Sequence, residues 1–425
     1  MTKVLLCLTL ALLPASAAAY PHDAQLSARL KREFRAALST GTVAPEVYSR
    51  LDKAGPRYAG LRVLVRRDKS DSFAWYDPDR NAVYFNSRFI LKFFEAKGFK
   101  DPQVVEVLWE NAEVRAELVK YAKPVFLHEL VHALQCYLYP EYRRDAGASP
   151  LEFEYEAYLT EDMYMHESMK ADPRLLKDFV RGAYTDIYTA NAFGSYLSLS
   201  LDHARYREKI RYFYEEEMGY VSLAAAETAK KSGVADARIF AYAAGSTRAY
   251  AADGDSLARL RAQKAEYARF LEEFYSSRWP AFSADALLFV GSIALGEKNY
   301  PLALDCLAVA DANASKRGLE PEALEALRTK GAVAVLETAS FIREKSARMG
   351  VEVLSQHLKA LEKACAATGR PFPADLLALK AETYPKAMAY YAGRYGAEKN
   401  RSRKEYYREN LEYFSASTGP AVSEK

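Results

Sequence analysis

The apolar residues near the start of the chain follow a helical pattern. They recur every four positions, at Leu26, Leu30, Phe34 and Leu38. Residues with this spacing lie on one face of an α-helix, where they can be buried together. Gly55-Pro56 ends the pattern, because this pair is typical of a turn. We therefore expect amphipathic helices between residues 20 and 56.

Between residues 60 and 90 the pattern changes to short apolar runs that are typical of β-strands. Leu61–Val65 is the first run. Phe73–Tyr76 and Ala82–Phe85 come next, and they flank Asp77–Asn81, which is rich in turn-forming residues. The pattern predicts three short strands, of which the last two are joined by a turn.

From residue 87 the apolar spacing is helical over most of the chain. We expect helices within residues 87–122, 124–139, 150–169 and 174–278, and near the C-terminus at 321–346, 350–367 and 374–395. The predicted fold class is therefore α+β, mostly α, with one small sheet.

The segment after Trp279-Pro280 differs in its pattern, and we place a domain boundary there. Five residues fall at the spacings of a tetratricopeptide-type helical hairpin, at Gly291, Tyr300, Ala303, Leu307 and Ala310. A plain helical bundle explains the same segment equally well. The predicted organisation is a first domain over 20–278, a helical repeat-like or bundle domain over 279–413, and a flexible tail over 414–425.

Composition and charge narrow the classes of protein to consider. Of the 425 residues, 50% are hydrophobic and 27% charged, as in globular proteins rather than disordered ones. The net charge is only +3. No basic face is evident, so we expect no nucleic-acid partner.

The first 19 residues predict a secretory signal peptide. Lys3 supplies the positive start, Val4–Leu13 is apolar, and Pro14–Ala19 is a region of small residues suited to cleavage. No later stretch looks long and apolar enough to span a membrane. We therefore expect an exported protein, periplasmic or extracellular, with no membrane span after the signal is removed.

One motif carries the strongest chemical signal in the chain. His128-Glu129-Leu130-Val131-His132 has the form H-E-x-x-H. Residues four apart share one face of a helix, so both imidazoles can point at one zinc ion. Glu129 follows the first ligand and is placed to act as a base on a water molecule at the metal. The competing interpretation is a core helix whose histidines are only hydrogen-bonded.

With the segment that follows it, this motif resembles the gluzincin branch of the zincin metallopeptidases, over residues 124–162. The resemblance implies a zincin-like metallopeptidase domain with a small sheet ahead of the metal-binding helix. It also implies that a glutamate from a following helix completes the zinc site. In these folds an edge strand beside the active site pairs with an extended peptide substrate.

Three glutamates match different forms of the gluzincin pattern. Glu154 stands three residues before Ala157, as in the E-x-x-A form. Glu156 directly precedes Ala157, as in the thermolysin-like form, and Glu152 with Glu156 matches a third form. We favour Glu154 as the third zinc ligand, and Glu156 and Glu152 remain the alternatives.

Metallopeptidase sites often add a Tyr or His that stabilises the developing oxyanion. The sequence offers several such residues, at Tyr155, Tyr158, His166 and His203. Cys136, four residues after His132, is either a buried apolar side chain or an extra ligand. With Cys306 and Cys365 it leaves an odd number of cysteines after signal removal, so we expect no disulfide framework.

The function that these features favour is an exported zinc metallopeptidase acting on a peptide or protein substrate. The C-terminal helical domain would be free to bind a protein partner. One alternative is a non-catalytic binding or scaffold protein of the cell envelope. Another is a zinc hydrolase of a non-peptide amide. Glu129 favours catalysis, because a purely structural metal site needs no base beside its ligands.

Overall fold

The structure is a computed structural model, in which the chain divides into two compact units, Met1–Ser149 and Pro150–Lys425. The predicted signal peptide, residues 1–19, lies outside the described residues. The structure describes residues 23–69, 72–96, 98, 104–145, 151–181, 187–197, 203–212, 214, 254–312, 321–399 and 401–418.

The first unit is built from helices and one small sheet. Its helices are α1 (Asp23–Ala37), α2 (Val43–Lys53), α3 (Pro56–Ala59), α4 (Ser87–Ala96), α5 (Val104–Glu110), α6 (Ala112–Leu138) and α7 (Pro140–Asp145). Its strands are β1 (Arg62–Arg66), β2 (Ala74–Asp77) and β3 (Ala82–Asn86). The three predicted strands are confirmed to within one residue at each end.

The sheet has the strand order β1-β3-β2. β3 pairs in parallel with β1 and antiparallel with β2. In the turn between β2 and β3, Asn81 has a φ of 48°, a conformation that Asn tolerates better than most residues. Its side-chain oxygen accepts hydrogen bonds from the hydroxyls of Tyr76 and Tyr137, at 3.1 and 2.6 Å. These bonds tie the turn to the C-terminal end of α6.

An aromatic stack holds α6 and α1 against the sheet. The ring of Phe34 in α1 lies 4.1 Å from that of Phe126 in α6 and 5.4 Å from that of Phe85 in β3. All three side chains are at most 1% exposed. Phe126 is two residues before His128, and a two-residue step turns a helix by about 200°. The contacts with Phe34 and Phe85 thus fix one side of α6 and leave the histidines on the other.

All the regular secondary structure in the described residues of the second unit is helical. Its helices are α8 (Leu151–Ala171), α9 (Pro173–Val180), α10 (Ile187–Leu197), α11 (His203–Tyr212), α12 (Gly254–Gly296), α13 (Tyr300–Ala312), α14 (Pro321–Lys345), α15 (Val351–Ala367), α16 (Leu377–Ala397) and α17 (Arg401–Thr418). α12 packs against α8, α9 and α13, and α17 packs against α16. Over its described residues the structure therefore confirms a mostly helical α+β fold with a small three-stranded sheet.

Two predicted features of this unit need correction. Trp279-Pro280 lies inside α12, so the chain is helical where the sequence suggested a boundary. α17 continues to Thr418, and Phe414 is fully buried against Tyr384 and Tyr391. The predicted tail therefore cannot begin at residue 414, because this aromatic packing holds the end of the chain in a helix. Residues 419–425 lie outside the described part.

α12 also bears on the expectation of no membrane span. Within the described part of the chain, Ala258–Gly296 is a helix long and apolar enough to cross a membrane by length and composition alone. Its most apolar window has a mean hydropathy of 1.4 and is 50% buried. The core helix of a soluble protein can have the same features. α12 packs against α8, α9 and α13.

Candidate metal centre

The H-E-x-x-H motif lies in the C-terminal half of α6. Asn111 caps the start of the helix, because its side chain accepts a 3.0 Å hydrogen bond from the amide of Val114. Pro124, expected in the first turn, is instead inside the helix. The helix continues because buried residues on both sides of Pro124 stabilise it more than the lost backbone bond costs.

The two histidines converge as the motif predicts. Nε2 of His128 and Nε2 of His132 lie 3.1 Å apart, and the rings meet edge to face with centroids 4.8 Å apart. Each histidine is 6% exposed, and Glu129 between them is 5% exposed. The motif thus presents two imidazole nitrogens and one carboxylate in a largely dry environment.

Gln135 is a further member of this cluster, and the sequence alone suggested no role for it. Its Oε1 lies 2.9 Å from Nδ1 of His132, and the residue is 1% exposed. Spacing is the signal that could have found it, because a residue three positions after His132 lies on the same helix face.

The ligand atoms of His128, His132 and Glu154 all lie within 4.8 Å of one another. Glu154, in the first turn of α8, is 6% exposed. All three are buried, and all three types are common zinc ligands. Buried carboxylates need a compensating partner, which is often a cation. The donor set therefore fits a zinc ion chemically.

Glu156, the second candidate ligand, has a different environment. It is fully buried, and its Oε2 accepts a 3.1 Å hydrogen bond from the hydroxyl of Tyr267 in α12. The same hydroxyl lies 3.3 Å from the backbone oxygen of Glu152. The α8 face that carries Glu152 and Glu156 therefore meets α12.

Two tyrosines lie beside Glu154. The hydroxyl of Tyr214 hydrogen-bonds the Glu154 carboxylate and lies 3.4 Å from that of Tyr158. Burial, and next the negative charge of Glu154, raise the pKa of both phenols. Both groups therefore stay protonated and can donate hydrogen bonds at neutral pH. Tyr158 was a sequence candidate, whereas Tyr214 was missed because nothing in its local sequence marks it.

The other described oxyanion candidates make contacts that suit a structural role. The Tyr155 ring lies under the guanidinium of Arg207, 4.9 Å away. His166 is bound on both ring nitrogens, with Tyr196 and Asp285 each at 2.8 Å. The His203 side chain lies outside what the structure describes.

Tyr196, His166 and Asp285 repeat the connectivity of a nucleophile, base and acid triad, but burial argues against that role. Tyr196 is 1% exposed, and burial raises the pKa of its hydroxyl well above the usual value. Lys170 also binds Asp285, at 2.7 Å. The group therefore joins α8, α10 and α12 as a buried polar link.

Cys136 is a buried thiol in this structure. Burial raises its pKa to about 12, so the protonated form dominates at neutral pH. Within the described residues, the group that could hold a metal ion is His128, His132 and Glu154, and Cys136 is not part of it. The apolar interpretation of Cys136 therefore fits better than that of an extra ligand. Cys306 and Cys365 are likewise free thiols.

No protein-family model, curated protein or solved structure matches this chain.

Proposed function

We propose that the protein is an exported zinc metallopeptidase, in which His128, His132 and Glu154 hold the ion. The observation that carries this proposal is the approach of three buried ligand atoms to within 4.8 Å of one another. Two come from an H-E-x-x-H helix, whose remaining acidic residue, Glu129, is also buried.

The histidine geometry supports a tetrahedral ion. Zinc–nitrogen bonds of 2.0–2.1 Å at tetrahedral angles place two nitrogen ligands about 3.3 Å apart. The 3.1 Å separation of the two Nε2 atoms is close to that value. A hydrogen bond between the imidazoles gives a similar distance, so what favours a cation is the approach of a Glu154 carboxylate oxygen to both histidines.

A zinc ion at these ligands would activate a water molecule and polarise the scissile carbonyl. Glu129 is the residue that would take the proton from the attacking water and pass it to the leaving amine. Tyr158 and Tyr214, whose hydroxyls flank Glu154, are the donors we propose for the developing oxyanion.

A peptide substrate would bind most readily along β2. β1 and β2 are the two edges of the sheet. On β1 the amide of Val63 already donates a 2.8 Å hydrogen bond to the Ser27 hydroxyl of α1. β2 is antiparallel to its neighbour and contacts the motif helix α6. An extended substrate could therefore add to β2 beside the helix that carries the motif.

The remaining parts of the proposal rest on sequence. Export follows from the signal-like residues 1–19. We further propose that the helices after residue 279 bind a protein partner in a tetratricopeptide-like manner. The close approach of α12 and α13 supports a helical hairpin there, because a Cβ at Gly291 would lie 2.7 Å from Cγ of Leu307.

The test is turnover of casein and of a peptide library by the chain without residues 1–19. The wild type should cleave and should lose activity to a zinc chelator. Glu129→Gln should retain the metal but lose about 100- to 10,000-fold in rate, since it removes the base. Chelator-insensitive cleavage, or equal rates for wild type and Glu129→Gln, would refute the proposal. No cleavage by either would favour a binding protein or a non-peptide hydrolase.

A further inference from the structure

The amide of Gln135 makes a contact that determines the protonation pattern of His132. Nδ1 of His132 lies 2.9 Å from Oε1 of Gln135. A side-chain carbonyl oxygen can only accept a hydrogen bond, so Nδ1 must carry the proton. In the neutral imidazole the other nitrogen, Nε2, then presents its lone pair. That nitrogen faces Nε2 of His128 at 3.1 Å.

We propose that Gln135 is a positioning residue that holds His132 in the tautomer and ring orientation of a metal ligand. Resting on the proposed function, this inference adds a residue that is neither a ligand nor the base. Histidine ligands commonly donate their second N–H to an oxygen acceptor, which fixes the ring and raises its basicity.

Three features make Gln135 suited to this role. It stands three residues after His132 on the same face of α6, so the helix backbone sets the contact. It is 1% exposed, so water competes little for the hydrogen bond. Its contact with Nδ1 leaves Nε2 on the side of His128. A residue that merely filled space at position 135 would need no oxygen there.

The first measurement is zinc affinity by competition with a chelator, in the full chain after residue 19. Gln135→Leu removes the acceptor while keeping much of the volume, and should weaken affinity about 10- to 100-fold. Gln135→Glu keeps an acceptor oxygen and should restore affinity to within about threefold of wild type. Gln356→Leu, which removes an amide bound to Tyr391 and Asn410 in the C-terminal helices, is the matched control and should leave affinity unchanged.

The second measurement needs no metal. Long-range proton–nitrogen NMR spectra of the metal-free wild type should show His132 with its proton on Nδ1, and Gln135→Leu should lose that signature. A proton on Nε2 of His132 in the wild type would overturn the inference. So would unchanged zinc affinity in Gln135→Leu, or a Gln135→Glu variant as weak as Gln135→Leu. A wild type that binds no zinc but keeps the Nδ1 proton would instead refute the proposed function and leave the tautomer assignment standing.

Discussion

The hydroxyl of Tyr267 lies 3.1 Å from Oε2 of Glu156 and binds α12 to α8. This contact gives Glu156 a different environment from Glu154, although the two glutamates are only two residues apart on one buried helix. Glu156 meets a helix of its own unit, whereas Glu154 lies with the two histidines of α6. The same bond anchors α8 at the turn that carries the third proposed ligand.

Removing the Tyr267 hydroxyl should weaken the fold more than the metal site. Tyr267→Phe deletes a buried donor to a carboxylate, and such bonds contribute about 1.5–3 kcal/mol. We expect that loss in the free energy of unfolding measured in urea, with zinc affinity within about threefold of wild type. A large drop in zinc affinity with unchanged stability would show that Glu156 serves the metal instead.

The packing of α12 against α13 gives a prediction at Gly291. A Cβ there would lie 2.7 Å from Cγ and 2.9 Å from Cδ2 of Leu307. Gly291→Ala should therefore lower the free energy of unfolding by about 1–2 kcal/mol through overpacking, despite the better helix propensity of Ala. Gly331→Ala in α14 is the control, because no atom lies within 4 Å of its new Cβ. It should be neutral or stabilising, and equal effects of the two changes would contradict the packing argument.

The ion pairs of Asp285 predict a dependence of stability on pH. His166, followed by Lys170, lowers the pKa of Asp285 from 3.8 to about 2. A carboxyl with a depressed folded pKa stabilises the fold above its unfolded pKa and stops doing so as pH falls through its folded pKa. The contribution should therefore be present above pH 4 and disappear between about pH 4 and 2.

The variant that tests this is Asp285→Asn. Because 48% of the Asp285 side chain is exposed, we expect solvent screening to limit the loss to about 1 kcal/mol at pH 7. Urea unfolding from pH 7 to 2 should show the wild-type and variant curves converging at the acidic end. Parallel curves over that whole range would mean that Asp285 does not supply the pH-dependent term.

Local periodicity was sufficient to predict much of the fold. The four-residue spacing of Leu26, Leu30 and Phe34 predicted a face that is at most 2% exposed. The strands were predicted because turn residues marked their ends. Two prolines gave wrong predictions of where helices begin or end, because Pro124 and Pro280 both lie inside helices. There, burial of the flanking residues outweighs the lost backbone hydrogen bond, and this balance cannot be judged from local sequence.

The candidate site was predicted only in part, for a similar reason. The i, i+4 spacing places His128 and His132 on the same face of any helix. The position of each glutamate around α8 could not show which one is the ligand. The faces that carry Glu154 and Glu156 are both buried, at 6% and 0% exposure. Tyr214 approaches Glu154 through tertiary structure, which no spacing rule within α8 predicts.

Zinc content per chain tests the central claim most directly. The wild type, purified and dialysed against trace zinc, should hold about one ion per chain. His128→Ala and Glu154→Ala should hold far less, while Glu156→Ala, checked for folding by circular dichroism, should retain the ion. Full zinc occupancy in folded Glu154→Ala, or none in the wild type, would contradict the assignment of His128, His132 and Glu154 as the metal ligands.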